Sequence, residues 1–300
     1  MRTRRWRALS IALAWAIAAA VGPRVAAAAP EPVTSATDVR KLPDLAYGPF
    51  AKQRLDVYLP PAVGSAPILV MVHGGAWMFG DKGSRGVVGA KVEHWVRKGW
   101  ILVSVNNRLL PEATPLEQAD DVAHALAFAQ SQAAAWGGDT TRIVLMGHSA
   151  GAHLVALLSA QPALAANAGA ARWAGTVVLD SAALDLETLM RLPHPRFYDR
   201  VFGADVERWR AMSPTARLGA DAVPMLLVCS TLRLDDSCGQ SERFAARVNA
   251  AGAPARVHRE ALAHNAIDAE LGRPGSYTDD VDAFIAGVVP RAGLAGIGAK

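Results

Sequence analysis

Only two cysteines, Cys229 and Cys238, occur in the 300 residues, and neither belongs to a C-x-x-C or Cys/His grouping. No structural zinc site is therefore implied. Aromatic residues make up 6% of the chain and charged residues 19%, and no apolar run reaches the roughly 18 residues that suggest a membrane span. A basic patch is also lacking once the first residues are set aside. Residues 1–28 hold five of the 31 basic residues and no acid, so 26 basic residues face 27 acids in the rest, a net of about −1. Without a concentrated basic stretch there is no footprint for nucleic acid.

What is present points to a single large core, because 51% of 300 residues are apolar and burial improves with length. The N-terminal MRTRRWR, the apolar ALSIALAWAIAAAVG and the small-residue run VAAAAP read as a cleaved secretory signal over residues 1–28. An uncleaved anchor is the alternative, disfavoured by the short apolar run. The chain is accordingly expected to be exported, periplasmic or secreted, with no membrane span after cleavage. In an oxidising compartment Cys229 and Cys238 can pair; otherwise Cys229 is a buried thiol in MLLVCS and Cys238 a loop thiol.

Beyond a lead segment at 29–50, short Val/Ile/Leu runs alternate with helix-like stretches through a domain at 51–290, with a tail at 291–300. Strands are expected at 54–59, 67–72, 101–105, 142–146, 175–180, 224–230 and 255–260. Helices are expected near 87–98, 115–135, 150–160, 240–251 and 278–288. Continuous apolar strands separated by helices indicate an α/β architecture, a mostly parallel sheet covered on both faces. Ligands bind such sheets beyond the carboxyl ends of the strands. The stretch 186–218, between the strands near 180 and 224, is too long for a simple connection and reads as a small cap. Its Phe197, Tyr198, Phe202 and Trp209 are candidate pocket residues, as are Trp77, Met78 and Phe79; packing of the cap onto the sheet is the alternative role.

Gly147-His148-Ser149-Ala150-Gly151 follows a strand pattern and opens a helix pattern, the setting in which G-x-S-x-G forms a nucleophile elbow. The flanking glycines answer the need for close backbone approach in a tight turn. His73-Gly74-Gly75 follows another strand, where the N–H groups of Gly74 and Gly75, with that of Ala150, could hold an oxyanion. His73 is assigned to bracing this loop. A serine nucleophile needs a base, and the base needs an acid to fix its tautomer. His264, just past the last strand, is the expected base, ahead of His258. The acid is sought after the 224–230 strand, where Asp236 is preferred to Asp235; Asp180, closing the neighbouring strand, is the third candidate.

Together these residues resemble the α/β-hydrolase superfamily, in its esterase/lipase branch with an HGG oxyanion loop. "HGGAWMFGDK", "SVNNRLLPE", "WGGDTTRIVLMGHSAGAHL" and "MSPTARL" carry the resemblance, and the elbow is most similar to those of feruloyl-esterase-like carboxylesterases and arylformamidases. The resemblance implies an α/β-hydrolase fold and a metal-free, cofactor-free serine hydrolase that cleaves small-molecule esters through an acyl-enzyme. An arylformamidase-like amide hydrolase with the same residues is the rival reading, and a non-catalytic binding module on the same scaffold a third. Where the family often has tyrosine, this chain has Asn107, which is expected to alter the pocket wall.

Overall fold

A computed structural model describes residues 38–289 apart from residue 63. The expected leader at 1–28 and the tail at 291–300 lie outside the described residues. Eight strands form one sheet: β1 (Arg40–Ala46), β2 (Arg54–Leu59), β3 (Ala66–Val72), β4 (Ile101–Val105), β5 (Gly138–His148), β6 (Gly175–Leu179), β7 (Met225–Ser230) and β8 (Ala255–Glu260). Their spatial order is β1-β2-β4-β3-β5-β6-β7-β8. β2 runs antiparallel to both of its neighbours, and every pairing from β4 to β8 is parallel. This is the mostly parallel α/β sheet expected from the pattern, in the α/β-hydrolase arrangement that the resemblance implies.

The central strands form because each is a continuous Val/Ile/Leu/Met run, and β3, β4, β6 and β7 are buried along their whole length. Side chains alternate between two apolar layers. Ile68, Val70, Val72, Ile143 and Leu145 share one layer with the helices Pro115–Gln132, Ala150–Ala160 and Ser237–Ala250. Leu69, Met71, Val144, Met146, Leu226 and Val228 share the other with Val87, Val88 and Trp95 and with Val281, Phe284 and Ile285 of the helix Ser276–Val288. A fully buried side chain of this size contributes about 1.5–3 kcal/mol, so two filled layers hold the strands in register.

β1 lies in the segment expected to be an irregular lead. Its pattern is mostly exposed, it contains Pro43, and a bulge between Leu42 and Leu45 breaks its register with β2. An edge strand needs burial on part of one face only and tolerates proline, so it leaves little hydrophobic alternation to read. The cap at 186–218 is built of three short helices, Leu186–Arg191, Phe197–Phe202 and Val206–Met212. Among the described residues no helix is long and apolar enough to cross a membrane.

Cys229 at the end of β7 and Cys238 in the first turn of the following helix form a disulfide across a separation of nine residues. It staples both ends of the loop 231–236. Closing a loop of that length removes about 2–3 kcal/mol of unfolded-state entropy. Replacing both cysteines by serine should therefore lower the Tm by about 5–10 °C in a thermal scan, whereas an unchanged Tm would show that the bridge adds no net stability.

Candidate active site

The parallel strands all end on the same side of the sheet, and that side carries the polar clusters. β5 ends in the elbow, where Ser149 takes φ 56° and ψ −114°. This costs about 1–3 kcal/mol for a non-glycine residue and is held by Ser149 N–H donating to Leu179 O at 2.8 Å. The flanking glycines are obligatory. A Cβ on Gly151 would stand 2.4 Å from Val72 O, and one on Gly147 would stand 2.4 Å from Gly151 O.

Ser149 Oγ lies 2.9 Å from His264 Nε2, and His264 Nδ1 lies 2.6 Å from Asp180 Oδ2. The geometry fixes the neutral tautomer, with Nδ1–H donating to the carboxylate and Nε2 accepting from the hydroxyl. His264 opens the helix His264–Ala269 immediately after β8. Asp180 stands at the end of β6 in a left-handed conformation, φ 57°. Its carboxylate is completely buried, and its other oxygen, Oδ1, accepts from Ser230 N–H and Ser237 Oγ–H, both at 2.9 Å. Burial pushes this carboxyl up, but the His264 hydrogen bond and the Arg233 charge outweigh it and hold it at about 2.

The acid beside His264 is thus Asp180 and not the preferred Asp236. Asp236 adopts φ 53° at the start of the helix after β7, points its carboxylate at Arg243 Nη2 at 3.0 Å, and is 64% exposed. Gly239 leaves the space over which that carboxylate folds back. Asp235 also has another partner: its oxygens accept from Arg233 Nε and Nη2. β6 and β7 are neighbours whose ends both face His264, so either strand end can supply the acid. Sequence reasoning missed Arg233. The guanidinium donates from Nη1 to Asp180 O at 2.8 Å and to Asp180 Oδ2 at 3.2 Å, and that nitrogen is 3.0 Å from His264 Nδ1.

The HGG loop after β3 takes positive φ at Gly75, Ala76 and Trp77, 129°, 51° and 59°, which is strain at the two non-glycine residues. His73 braces it, Nδ1–H donating to Gly74 O at 2.7 Å. The N–H groups of Gly74, Gly75 and Ala150 meet no backbone acceptor among the described residues. Gly74 and Gly75 line the cleft with Ser149, while Ala150 lies behind it beside Gly74. His258 is held between Asp280 and Glu260, at 2.8 and 3.0 Å, and takes no part in the Ser149 cluster.

The cleft measures about 820 Å³, and of the candidate pocket residues Trp77, Phe79, Phe197 and Tyr198 line it. Met78, Phe202 and Trp209 do not. Phe202 is fully buried against Trp77 at 4.9 Å between ring centroids, Trp209 donates its indole N–H to Gly203 O at 2.9 Å, and Met78 packs against the core. Asn107 is buried beside Gln118, behind the HGG loop, and is not part of the cleft wall.

Two further imidazoles are locked neutral beneath the site. His148 donates from Nε2 to His264 O at 2.9 Å, and His153 donates from Nε2 to Met212 O at 2.8 Å while its Nδ1 accepts from the Trp77 indole at 3.2 Å. Burial pushes both down to about 4. Because these folded values lie below the ordinary one near 6.5, the stabilisation is complete above about pH 6.5. It is lost as pH falls toward 4, at about 3 kcal/mol per imidazole. Urea midpoints should drop clearly between pH 7.5 and pH 4.5, and His153→Gln should remove part of that dependence; equal midpoints at the two pH values would contradict it.

The BD-FAE family model matches residues 55–175. The esterase LipQ of Mycobacterium tuberculosis is 31% identical over 241 residues, 75% of this chain and 57% of LipQ. The isoprenylcysteine alpha-carbonyl methylesterase ICME of Arabidopsis thaliana is 35% identical over 113 residues, 37% of this chain and 26% of that protein. The chain therefore spans about a quarter to somewhat over half the length of these relatives. Among solved structures, a truncated carbohydrate esterase from gut microbiota superposes with a TM-score of 0.68 at 18% identity, covering 84% of this chain and 98% of that one.

Proposed function

We propose that this chain, whose fold is that of the α/β-hydrolases, is a serine hydrolase of carboxylic esters working through an acyl-enzyme, a reading supported by the BD-FAE match over residues 55–175. One observation carries the reading: a hydroxyl, an imidazole and a buried carboxylate are linked in order at 2.9 and 2.6 Å at the mouth of a cleft. Ser149 Oγ attacks the ester carbonyl as His264 Nε2 takes its proton, and Asp180 holds the imidazole in the required tautomer and stabilises the imidazolium. The N–H groups of Gly74, Gly75 and Ala150 receive the oxyanion, a contribution worth on the order of a hundredfold in rate per donor. His264 then protonates the departing alcohol. Water, deprotonated by the same imidazole, attacks the acyl-enzyme and releases the acid and Ser149.

An ester substrate is favoured over an amide by the relatives, since LipQ is named an esterase and ICME a methylesterase. The cleft wall of Phe79, Phe197 and Tyr198 suits a substrate with an apolar or aromatic part. The expected leader makes this an exported enzyme, a setting in which the Cys229–Cys238 disulfide is stable.

On p-nitrophenyl acetate, Ser149→Ala should reduce turnover to near background and abolish labelling by a fluorophosphonate. Asp180→Asn should lower kcat by about 10³- to 10⁴-fold, and Asp236→Asn should leave it within about twofold. A large loss in Asp236→Asn with an active Asp180→Asn would reassign the acid, and full activity in Ser149→Ala would sink the mechanism.

A further inference from the structure

The reaction outlined above gives Arg233 no task, although its Nη1 stands 3.0 Å from His264 Nδ1. Every nitrogen of the guanidinium is held. Nη1 donates to Asp180 at 2.8 and 3.2 Å, Nε to Asp235 Oδ1 at 2.8 Å, and Nη2 to Asp235 Oδ2. With these acceptors already in place, the side chain is poorly suited to capture an anionic substrate, and its side chain is only 16% exposed. Its loop is pinned at both ends, by β7 and by the Cys229–Cys238 bridge. A cation so fixed beside a proton-accepting ring acts on that ring's charging whether or not substrate is bound.

We propose that Arg233 is a positioning residue for the base: it fixes Asp180 from the loop after β7, and as a held cation beside Nδ1 it opposes premature formation of the imidazolium. Asp235 orients the guanidinium and tempers its charge. The two residues thus set opposite charges beside the base, an arrangement whose effect on catalysis rests on the hydrolase reading above. His264 Nδ1–H already donates to Asp180, so Nη1 meets Nδ1 as a neighbouring charge and not as a hydrogen-bond donor.

The other charged or titratable groups facing His264 are accounted for. Asp180 comes from the end of β6, and the His148 ring from the elbow, its centroid 4.7 Å from that of His264 and neutral through burial. Asp268, on the helix of His264, is paired to the buried Lys91 at 2.7 Å. Glu260 at the end of β8 is paired to His258 at 3.0 Å. From the cap, the Tyr198 phenol is pushed up to about 12 by burial and by Asp235, so it stays neutral. Arg233 and Asp235 remain as the adjustable charges, and they have opposite signs.

The test uses that opposition. Profiles of kcat/KM against pH are measured on an aryl ester for wild type, Arg233→Gln, Arg233→Lys and Asp235→Asn, with active enzyme counted by fluorophosphonate titration. Removing the cation should move the acid limb of Arg233→Gln up by about one pH unit and lower kcat with little change in KM. Removing the anion should move the limb of Asp235→Asn down. Arg233→Lys, which keeps the charge, should restore the limb more fully than it restores kcat. Limbs that stay in place, or that move the same way in Arg233→Gln and Asp235→Asn, would reduce Arg233 to a structural role. Should Arg233→Gln fail to fold, the downward movement in Asp235→Asn still decides the sign. A wild type that neither labels at Ser149 nor turns over would instead overturn the hydrolase reading itself.

Discussion

The carboxylate of Asp180 is the group on which the site depends. It is charged and fully buried, and an uncompensated carboxylate in a protein interior would cost many kcal/mol. Compensation comes from four donors on separate parts of the chain: Ser230 N–H at the end of β7, Ser237 at the start of the next helix, Arg233 in the loop between them, and His264 beyond β8. Removing any one leaves a buried acceptor underfilled. The loops that meet at His264 are therefore ordered by the charge they surround. This explains why an exposed loop such as 231–236 presents its arginine in one orientation and not as a freely solvated side chain.

Backbone strain follows the same geography. Of the seven non-glycine residues at positive φ among the described residues, five lie beyond strand ends on this side, Ala76 and Trp77 after β3, Ser149 after β5, Asp180 after β6 and Asp236 beyond β7, while Asp44 sits within β1 and Ser65 just before β3. A strand that must stop and turn its last side chain clear of the sheet reaches a left-handed conformation, and the packing around it supplies the energy. At Ser149 the supporting contacts are Gly147 and Gly151, each pressed against backbone carbonyls. At Asp180 they are its hydrogen bonds and its N–H donating to Val228 O at 2.7 Å. The two strained residues sit at the ends of adjacent strands, and that adjacency brings their side chains to one imidazole.

Much of this was readable from residue order. The central strands, the elbow, the HGG loop and His264 all follow from local pattern, because each depends on what precedes and follows it within about ten residues. Asp180 against Asp236 does not. Aspartate tolerates the left-handed region better than most residues, both aspartates adopt it, and both follow buried strands. What separates them is the direction in which each strand end turns, set by Gly239 and Arg243 on one side and Ser230, Ser237 and Arg233 on the other. β1 was hidden for a different reason: an edge strand buries too little to leave a period.

The pocket aromatics show why composition alone could not divide wall from core. Trp77 touches both: it lines the cleft, yet it is nearly buried, packs against Phe202 and donates its indole N–H to His153. His153 in turn holds Met212 at the end of the cap, so the elbow helix, the HGG loop and the cap meet at one neutral imidazole. Phe202 packs at that junction, and Phe197 and Tyr198, about one turn away on the same short helix, are thereby presented to the cleft. The shape of the cleft wall is then a consequence of core packing. A change in Phe202 or His153 would reach the cleft through Trp77 without either side chain touching a ligand, whereas a change in the 68% exposed Phe79 would act on the cleft mouth and leave the core intact.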